Sequence, residues 1–148
     1  MAMVLSALTG CGAASPEDTR DERLAGLASD LQPIIPQLME LSPGLYSAIE
    51  IGSFITIPGQ IDGAPDGQVA VLTYSYTYAQ SVMIFDWWDK ERLLQEQSGV
   101  LDDVCESQVL PSMRESGIEG PLGVRYFYRN GSEGAADEYW EHWCWSEN

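Results

Sequence analysis

The chain has 148 residues and a formal net charge of −16, and 45% of its residues are hydrophobic. This length and composition predict one folded domain with a proper core, and they exclude an intrinsically disordered chain. Nucleic-acid binding is excluded as well, because so acidic a surface repels phosphate backbones.

The N-terminal segment ends in the order Leu8-Thr9-Gly10-Cys11, directly after a mostly apolar run that starts at Met3. An aliphatic residue, two small residues and a cysteine in this order resemble the lipobox of bacterial lipoproteins. The resemblance implies that residues 1–10 are the remnant of a signal peptide and that Cys11 carries the lipid. Since residues 1–10 hold no Lys or Arg, which a signal peptide needs near its start, either the natural start lies upstream or the match is accidental.

The lipobox resemblance also implies a location and a domain plan. Residues 11–15 would form the lipidated cysteine and a short tether, and residues 16–148 a single domain held at the outer side of the cell membrane by its lipid anchor.

Lipidation of Cys11 would leave an even pair of cysteines, Cys105 and Cys144. Outside the cytoplasm such a pair is expected to form a disulfide, which stabilises the fold by about 4 kcal/mol for a loop of this length. With His142 as the only histidine and no spaced cysteine motif, the sequence predicts neither a metal site nor a cofactor.

The apolar periodicity predicts six elements in the order αββαββ. A helix begins at Pro16 and is broken by the two prolines Pro33 and Pro36. The remaining elements are strands over residues 45–57 and 68–78, a helical region over 85–116, and strands over 122–129 and 136–145. Three local features are expected within them: a candidate break in the helical region at Ser98-Gly99, a candidate β-bulge at Gly52 and Ser53, and Gly117 as the residue that ends the helical region. The order predicts an α+β fold, a mostly antiparallel four-stranded sheet with helices packed on one face.

The predicted disulfide fixes the faces of the last strand, because Cys144 must point toward the helices. Alternation then places Trp140 and His142 on the helix side and Tyr139, Trp143 and Trp145 on the other side. Tyr74, Tyr76 and Tyr78 also share one face of the second strand. If that face is the outer one, the six aromatic residues Tyr74, Tyr76, Tyr78, Tyr139, Trp143 and Trp145 form a binding platform for sugar rings or apolar peptide side chains. Otherwise these aromatics cover the core.

Catalytic motifs are nearly absent from the sequence. Glu138 and His142 share a predicted strand face and could form an acid–base dyad. The simpler interpretation is a histidine held by a neighbouring carboxylate, because no nucleophile or oxyanion motif accompanies the pair.

The sequence therefore predicts a non-catalytic ligand- or protein-binding module of the cell envelope, and it is similar overall to small lipoproteins of high-GC Gram-positive bacteria. Its expected partners are the membrane, through the anchor at Cys11, and an envelope protein or a glycan. The alternatives are an envelope-processing hydrolase that uses Glu138 and His142, and a purely structural accessory domain.

Overall fold

The computed structural model describes residues 16–79, 87–131 and 139–146. The predicted lipidation site Cys11 and the predicted acid Glu138 lie outside these residues. The described elements combine helices with one four-stranded mixed sheet, so the chain has an α+β fold.

Two helices precede the first strand. Helix α1 spans Pro16–Asp30, a 3₁₀ turn follows at Gln32–Ile34, and helix α2 spans Ile35–Leu41. Leu24 and Ala28 lie four residues apart on α1, and both side chains are buried because that spacing puts them on one face. The prediction that prolines interrupt this region is confirmed, and the 3₁₀ turn is the form that the interruption takes.

The central helical region runs without a break through Gly99, so the predicted split at Ser98-Gly99 is wrong. Helix α3 spans Trp87–Val104, widens into a π-helical turn at Cys105–Val109, and continues as the short helix α4 over Leu110–Glu115. The π turn ends two residues before Pro111, whose ring lacks a backbone N–H and would clash with an ordinary preceding helical turn.

The helical region ends at Gly117, as predicted. Gly117 takes the left-handed conformation, with φ of 80°. The Gly117 N–H donates to the Arg114 carbonyl and the Ile118 N–H donates to the Met113 carbonyl. These two bonds form a Schellman motif, which satisfies carbonyls at the helix end.

Strands β1 (Tyr46–Ile55), β2 (Ala70–Tyr78), β3 (Leu122–Arg129) and β4 (Tyr139–Ser146) lie in the order β1-β2-β3-β4. Both predicted hairpins are confirmed, since β1–β2 and β3–β4 pair antiparallel. The two central strands, β2 and β3, pair in parallel, because the α3–α4 connection crosses from one to the other. The predicted bulge at Gly52-Ser53 is wrong: the register is regular there, and the irregularity lies between Tyr46 and Ala48.

The core lies between the helices and one face of this sheet, which we call the helix face. Leu24 from α1 and Met113 from α4 are fully buried in the same cluster as Leu72 on β2 and Val124 on β3. Alternation along the strands sends the other half of their side chains to the opposite face, which we call the outer face.

Two neighbouring contacts join the helical region to the edge strand β4. The predicted disulfide is confirmed: Cys105 and Cys144 are bonded, with their Cα atoms 6.5 Å apart. One helical turn earlier, the Asp102 carboxylate accepts a hydrogen bond from His142 Nε2 at 2.6 Å. Cys144 and His142 therefore share the helix face of β4, as the alternation predicted.

Arginine side chains of α1 bond to the backbone just before the two central strands. Arg20 donates to the carbonyl oxygen of Gln68, two residues before β2, and to that of Pro121, directly before β3. Arg23 donates to the Gly117 carbonyl at 2.7 Å. The first turns of α1 therefore lie at the amino ends of the two central strands.

We expect removal of the disulfide, by the double substitution Cys105→Ser and Cys144→Ser, to lower the free energy of unfolding by about 4 kcal/mol. The physical reason is the 39-position separation of the two cysteines, which a bond closes into a long loop in the unfolded chain. Urea unfolding followed by far-UV circular dichroism measures the change. Unfolding of the wild-type protein that is the same with and without a reductant would contradict the bond.

Candidate functional site

The structure separates the six predicted binding residues onto two faces. Tyr74, Tyr76 and Tyr78 lie on the helix face, where they pack in or against the buried core. Residues Tyr139, Trp143 and Trp145 alternate with Trp140 and Cys144 on β4 and lie on the outer face, as predicted. The single six-residue platform is therefore wrong, because the tyrosines of β2 belong to the core.

The outer face instead carries a row of planar side chains along the β3–β4 hairpin, which we call the aromatic ladder. The indoles of Trp145 and Trp143 stack with centroids 4.9 Å apart, and the Arg125 guanidinium lies 5.5 Å from the Trp143 ring. On its other side Arg125 lies 4.4 Å from the Phe127 ring, which in turn lies 5.1 Å from Tyr139. One guanidinium thus lies near aromatic rings, and both the ring–ring and the cation–π contacts of the row are attractive.

The charge in the middle of the ladder is neutralised by a carboxylate of the adjacent strand. Arg125 Nε donates to Glu141 Oε2 at 2.7 Å, and the two side chains are 27% and 32% exposed. The register explains the contact, since Arg125 pairs with Trp143 and Glu141 is its diagonal neighbour on the same face. The pair leaves polar groups beside aromatic rings at a partly exposed surface.

Beneath Trp145, strand β3 has a glycine, Gly123, in place of a side chain. A Cβ atom on Gly123 would lie 2.6 Å from the six-membered ring of Trp145, closer than any side chain allows. Glycine at this position therefore lets the indole lie against β3, next to the fully buried Val71 of β2. Phe54 on β1 meets Trp143 edge-on with centroids 6.3 Å apart, which extends the apolar layer toward the first strand.

Within the described residues, the carboxylate that contacts His142 comes from the helices. The His142 side chain is 17% exposed and its Nε2 lies 2.6 Å from the Asp102 carboxylate, whereas Glu138 lies outside the described residues. The simpler interpretation, a histidine held by a carboxylate, matches this geometry. The carboxylate comes from α3 and not from the neighbouring strand position.

The helix face holds a second set of aromatic rings, which we call the inner aromatic cluster. It comprises Tyr46, Tyr74, Tyr76, Tyr78, Tyr126, Tyr128 and Trp140. Parallel pairing of β2 and β3 sets Tyr76 beside Tyr128, whose rings stack at 4.5 Å, and Tyr128 stacks on Trp140 at 4.0 Å. Burial raises the pKa of Tyr74 and of Tyr76 to about 12, so both hydroxyls stay protonated at neutral pH.

Sequence reasoning missed Arg125, Phe127 and Phe54 on the outer face and Asp102 beside His142. The alternation along β3 could have located Arg125 and Phe127. In that strand one face carries Val124, Tyr126 and Tyr128, and the other carries Arg125, Phe127 and Arg129. The β2 sequence carries a similar signal: Val71, Thr73, Ser75 and Thr77 are the more polar set, which favours the tyrosines for the core. The contact with Asp102 has no sequence signal, because it depends on how α3 crosses the sheet.

Comparison with protein families, curated proteins and solved structures finds no significant match to this chain. No helix within the described residues is both long and apolar enough to cross a bilayer. Within the same residues, no three side chains of His, Cys, Asp or Glu are grouped so as to hold a metal ion. The geometry of the two aromatic surfaces is therefore what supports a function.

We expect Gly123→Ala to lower the free energy of unfolding by about 1–3 kcal/mol, because the added methyl forces the Trp145 ring out of its place on β3. Displacement of this ring from Trp143 should also reduce the near-UV circular dichroism of the indole pair. Gly52→Ala is the matched control, since Gly52 lies on the outer face of β1 and its added Cβ meets nothing within 4 Å. Equal losses in the two variants would contradict the packing described for Trp145.

Proposed function

We propose that this protein is a lipid-anchored protein of the bacterial cell envelope and that its domain binds neutral glycans, without catalysis, through the aromatic ladder. Cys11 carries the anchor and the domain lies on the outer side of the membrane. The observation that carries the binding role is the ladder itself, a contiguous row of partly exposed planar groups on the face opposite the core.

The chemistry of the ladder suits a sugar. Aromatic rings pack against the C–H faces of pyranose rings, and a guanidinium–carboxylate pair offers donors and acceptors for ring hydroxyls. Tyr139, the most exposed member at 40%, ends the row with a ring and a hydroxyl. The Arg125–Glu141 pair lies beside the aromatic rings, so the surface offers polar as well as apolar contacts.

The charge of the protein favours a neutral glycan over an anionic one. The formal net charge is −16, and the Arg125 charge within the ladder is already balanced by Glu141. An anionic polymer would be repelled by the acidic surface as a whole. Neutral sugars do not encounter this repulsion.

The position of α1 agrees with an anchor at Cys11. Arg20 ties the start of α1 to the amino ends of β2 and β3. Cys11 lies five positions before Pro16, a stretch of chain that spans at most about 18 Å. An anchored Cys11 would thus hold the amino ends of the central strands close to the membrane.

The alternative, a hydrolase that uses Glu138 and His142, has less support. His142 is mostly buried and its Nε2 is engaged by Asp102, so this nitrogen is not available to a substrate. A catalytic role would require this contact to open.

We expect the protein to be retarded in native gels that contain soluble neutral polysaccharides, and Tyr139→Ala to weaken that binding by about fivefold through loss of one stacking contact. Leu41→Ala is the matched control: it removes an apolar side chain that is 78% exposed on α2, away from the ladder, and should leave the retardation unchanged. If no neutral polysaccharide retards the wild type, or if an apolar peptide binds in a Tyr139-dependent way instead, the glycan assignment is wrong.

We expect Cys11→Ala to move the protein from the detergent phase to the aqueous phase when bacterial membranes are extracted with Triton X-114, because the acyl chains are lost. Ser15→Ala, four positions along the tether, should partition like the wild type. Unchanged partitioning of Cys11→Ala would remove the lipid anchor from the proposal and leave glycan binding to be judged by the gels alone.

A further inference from the structure

A cavity of about 340 Å³ opens on the helix side of the sheet, and the proposed glycan surface does not include it. It lies at the ends of the strands where β2 and β3 finish and where β1 and β4 begin. The described lining residues are Ser42, Leu45, Tyr46, Tyr78, Gln97, Tyr128 and Trp140. The carboxyl ends of parallel strands are the place where open sheets commonly bind ligands, and this volume falls in the range of small-molecule sites.

Stacking decides which part of the rings meets the cavity. Tyr128 on β3 has Tyr76 from β2 stacked at 4.5 Å and Trp140 from β4 stacked at 4.0 Å. Since these neighbours come from opposite sides of β3, both faces of the Tyr128 ring are covered, and only its edge and hydroxyl can touch a ligand. Ring edges carry partial positive charge, so this wall disfavours a cation and favours an electronegative atom.

A buried donor in the wall points to the same requirement. The Trp140 side chain is only 3% exposed, and its indole N–H meets no acceptor at hydrogen-bond geometry among the described residues. The nearby Tyr78 hydroxyl interacts with this indole, which lowers the pKa of Tyr78 against the larger, raising effect of burial, but the two groups do not meet hydrogen-bond geometry. A buried N–H without an acceptor is costly, and an oxygen atom of a ligand would satisfy it.

The remaining wall is neutral. None of the described residues that line the cavity carries a formal charge, and the hydroxyls of Tyr46 and Tyr78 are held protonated by a raised pKa in each case, with burial as the main cause. A charged ligand would lose its hydration here without a counter-ion. The volume has room for roughly ten non-hydrogen atoms, at the volume that water occupies per molecule.

We propose that this cavity is a binding site for a neutral, ring-containing small molecule with an oxygen acceptor, which receives the Trp140 indole N–H while its ring packs against Leu45 and the tyrosine edges.

The test is ¹H–¹⁵N NMR of the labelled full-length chain, titrated with three probes of similar size. Coumarin is neutral and has a carbonyl acceptor, naphthalene is neutral and has none, and benzyltrimethylammonium is cationic. We expect coumarin to bind about fivefold more tightly than naphthalene, which corresponds to one hydrogen bond, and to shift the Trp140 indole N–H signal downfield. The cation should bind most weakly.

Two variants locate the site. Gln97→Phe, at an exposed position of α3 on the cavity wall, should block entry and weaken coumarin binding at least tenfold. Gln95→Phe is its matched control, because Gln95 is exposed on the same helix and does not line the cavity. Trp140→Phe removes the donor and should abolish the preference for coumarin over naphthalene; the Gln97 pair decides the location even if this variant does not fold.

Several results would overturn the proposal: no probe binds, the cation binds best, coumarin and naphthalene bind equally well to the wild type, or Gln97→Phe and Gln95→Phe behave alike. The glycan assay is independent, since Gln97 and Trp140 lie on the other side of the sheet from the aromatic ladder.

Discussion

The attachment of the helical region to the edge strand β4 determines which side chains of that strand face the helices and which face outward. Cys105 is bonded to Cys144 and, one turn away, Asp102 binds His142, so a covalent and a polar contact hold the same two elements together. Each contact requires its β4 residue to face the helices. Alternation then assigns each remaining side chain of β4 to one face of the sheet. The positions of the β4 residues in the two aromatic surfaces follow from that assignment.

The sheet uses its aromatic residues differently on its two faces. On the helix face, tyrosines from adjacent strands stack with Trp140, exclude water and still leave a cavity with donors in its wall. On the outer face, a guanidinium between rings keeps the ladder partly polar and allows it to remain at the surface. The inner aromatic cluster can be buried because its tyrosine hydroxyls stay neutral. The aromatic ladder lies at the surface, where Glu141 balances the charge of its arginine, Arg125.

The two proposed sites lie on opposite faces of one sheet and differ in shape. The proposed glycan surface is broad and shallow, which suits a polymer, whereas the cavity has a small volume and a buried donor. The strands of β3 and β4 contribute to both, with Phe127 and Tyr139 on one side and Tyr128 and Trp140 on the other.

The sequence by itself determined the order of the elements, both hairpins, the cap at Gly117 and, through the pairing of Cys105 with Cys144, the faces of β4. These features depend on local turn chemistry, alternation and one long-range bond that an even count of cysteines predicts. Only the tertiary structure decided that β2 and β3 run parallel, and it placed the β2 tyrosines toward the core, which the polarity of the alternate residues on that strand favours but does not fix. Alternation divides a strand into two sets of side chains but does not say which set is buried, and an Asp102 that reaches His142 depends on the path of α3 across the sheet.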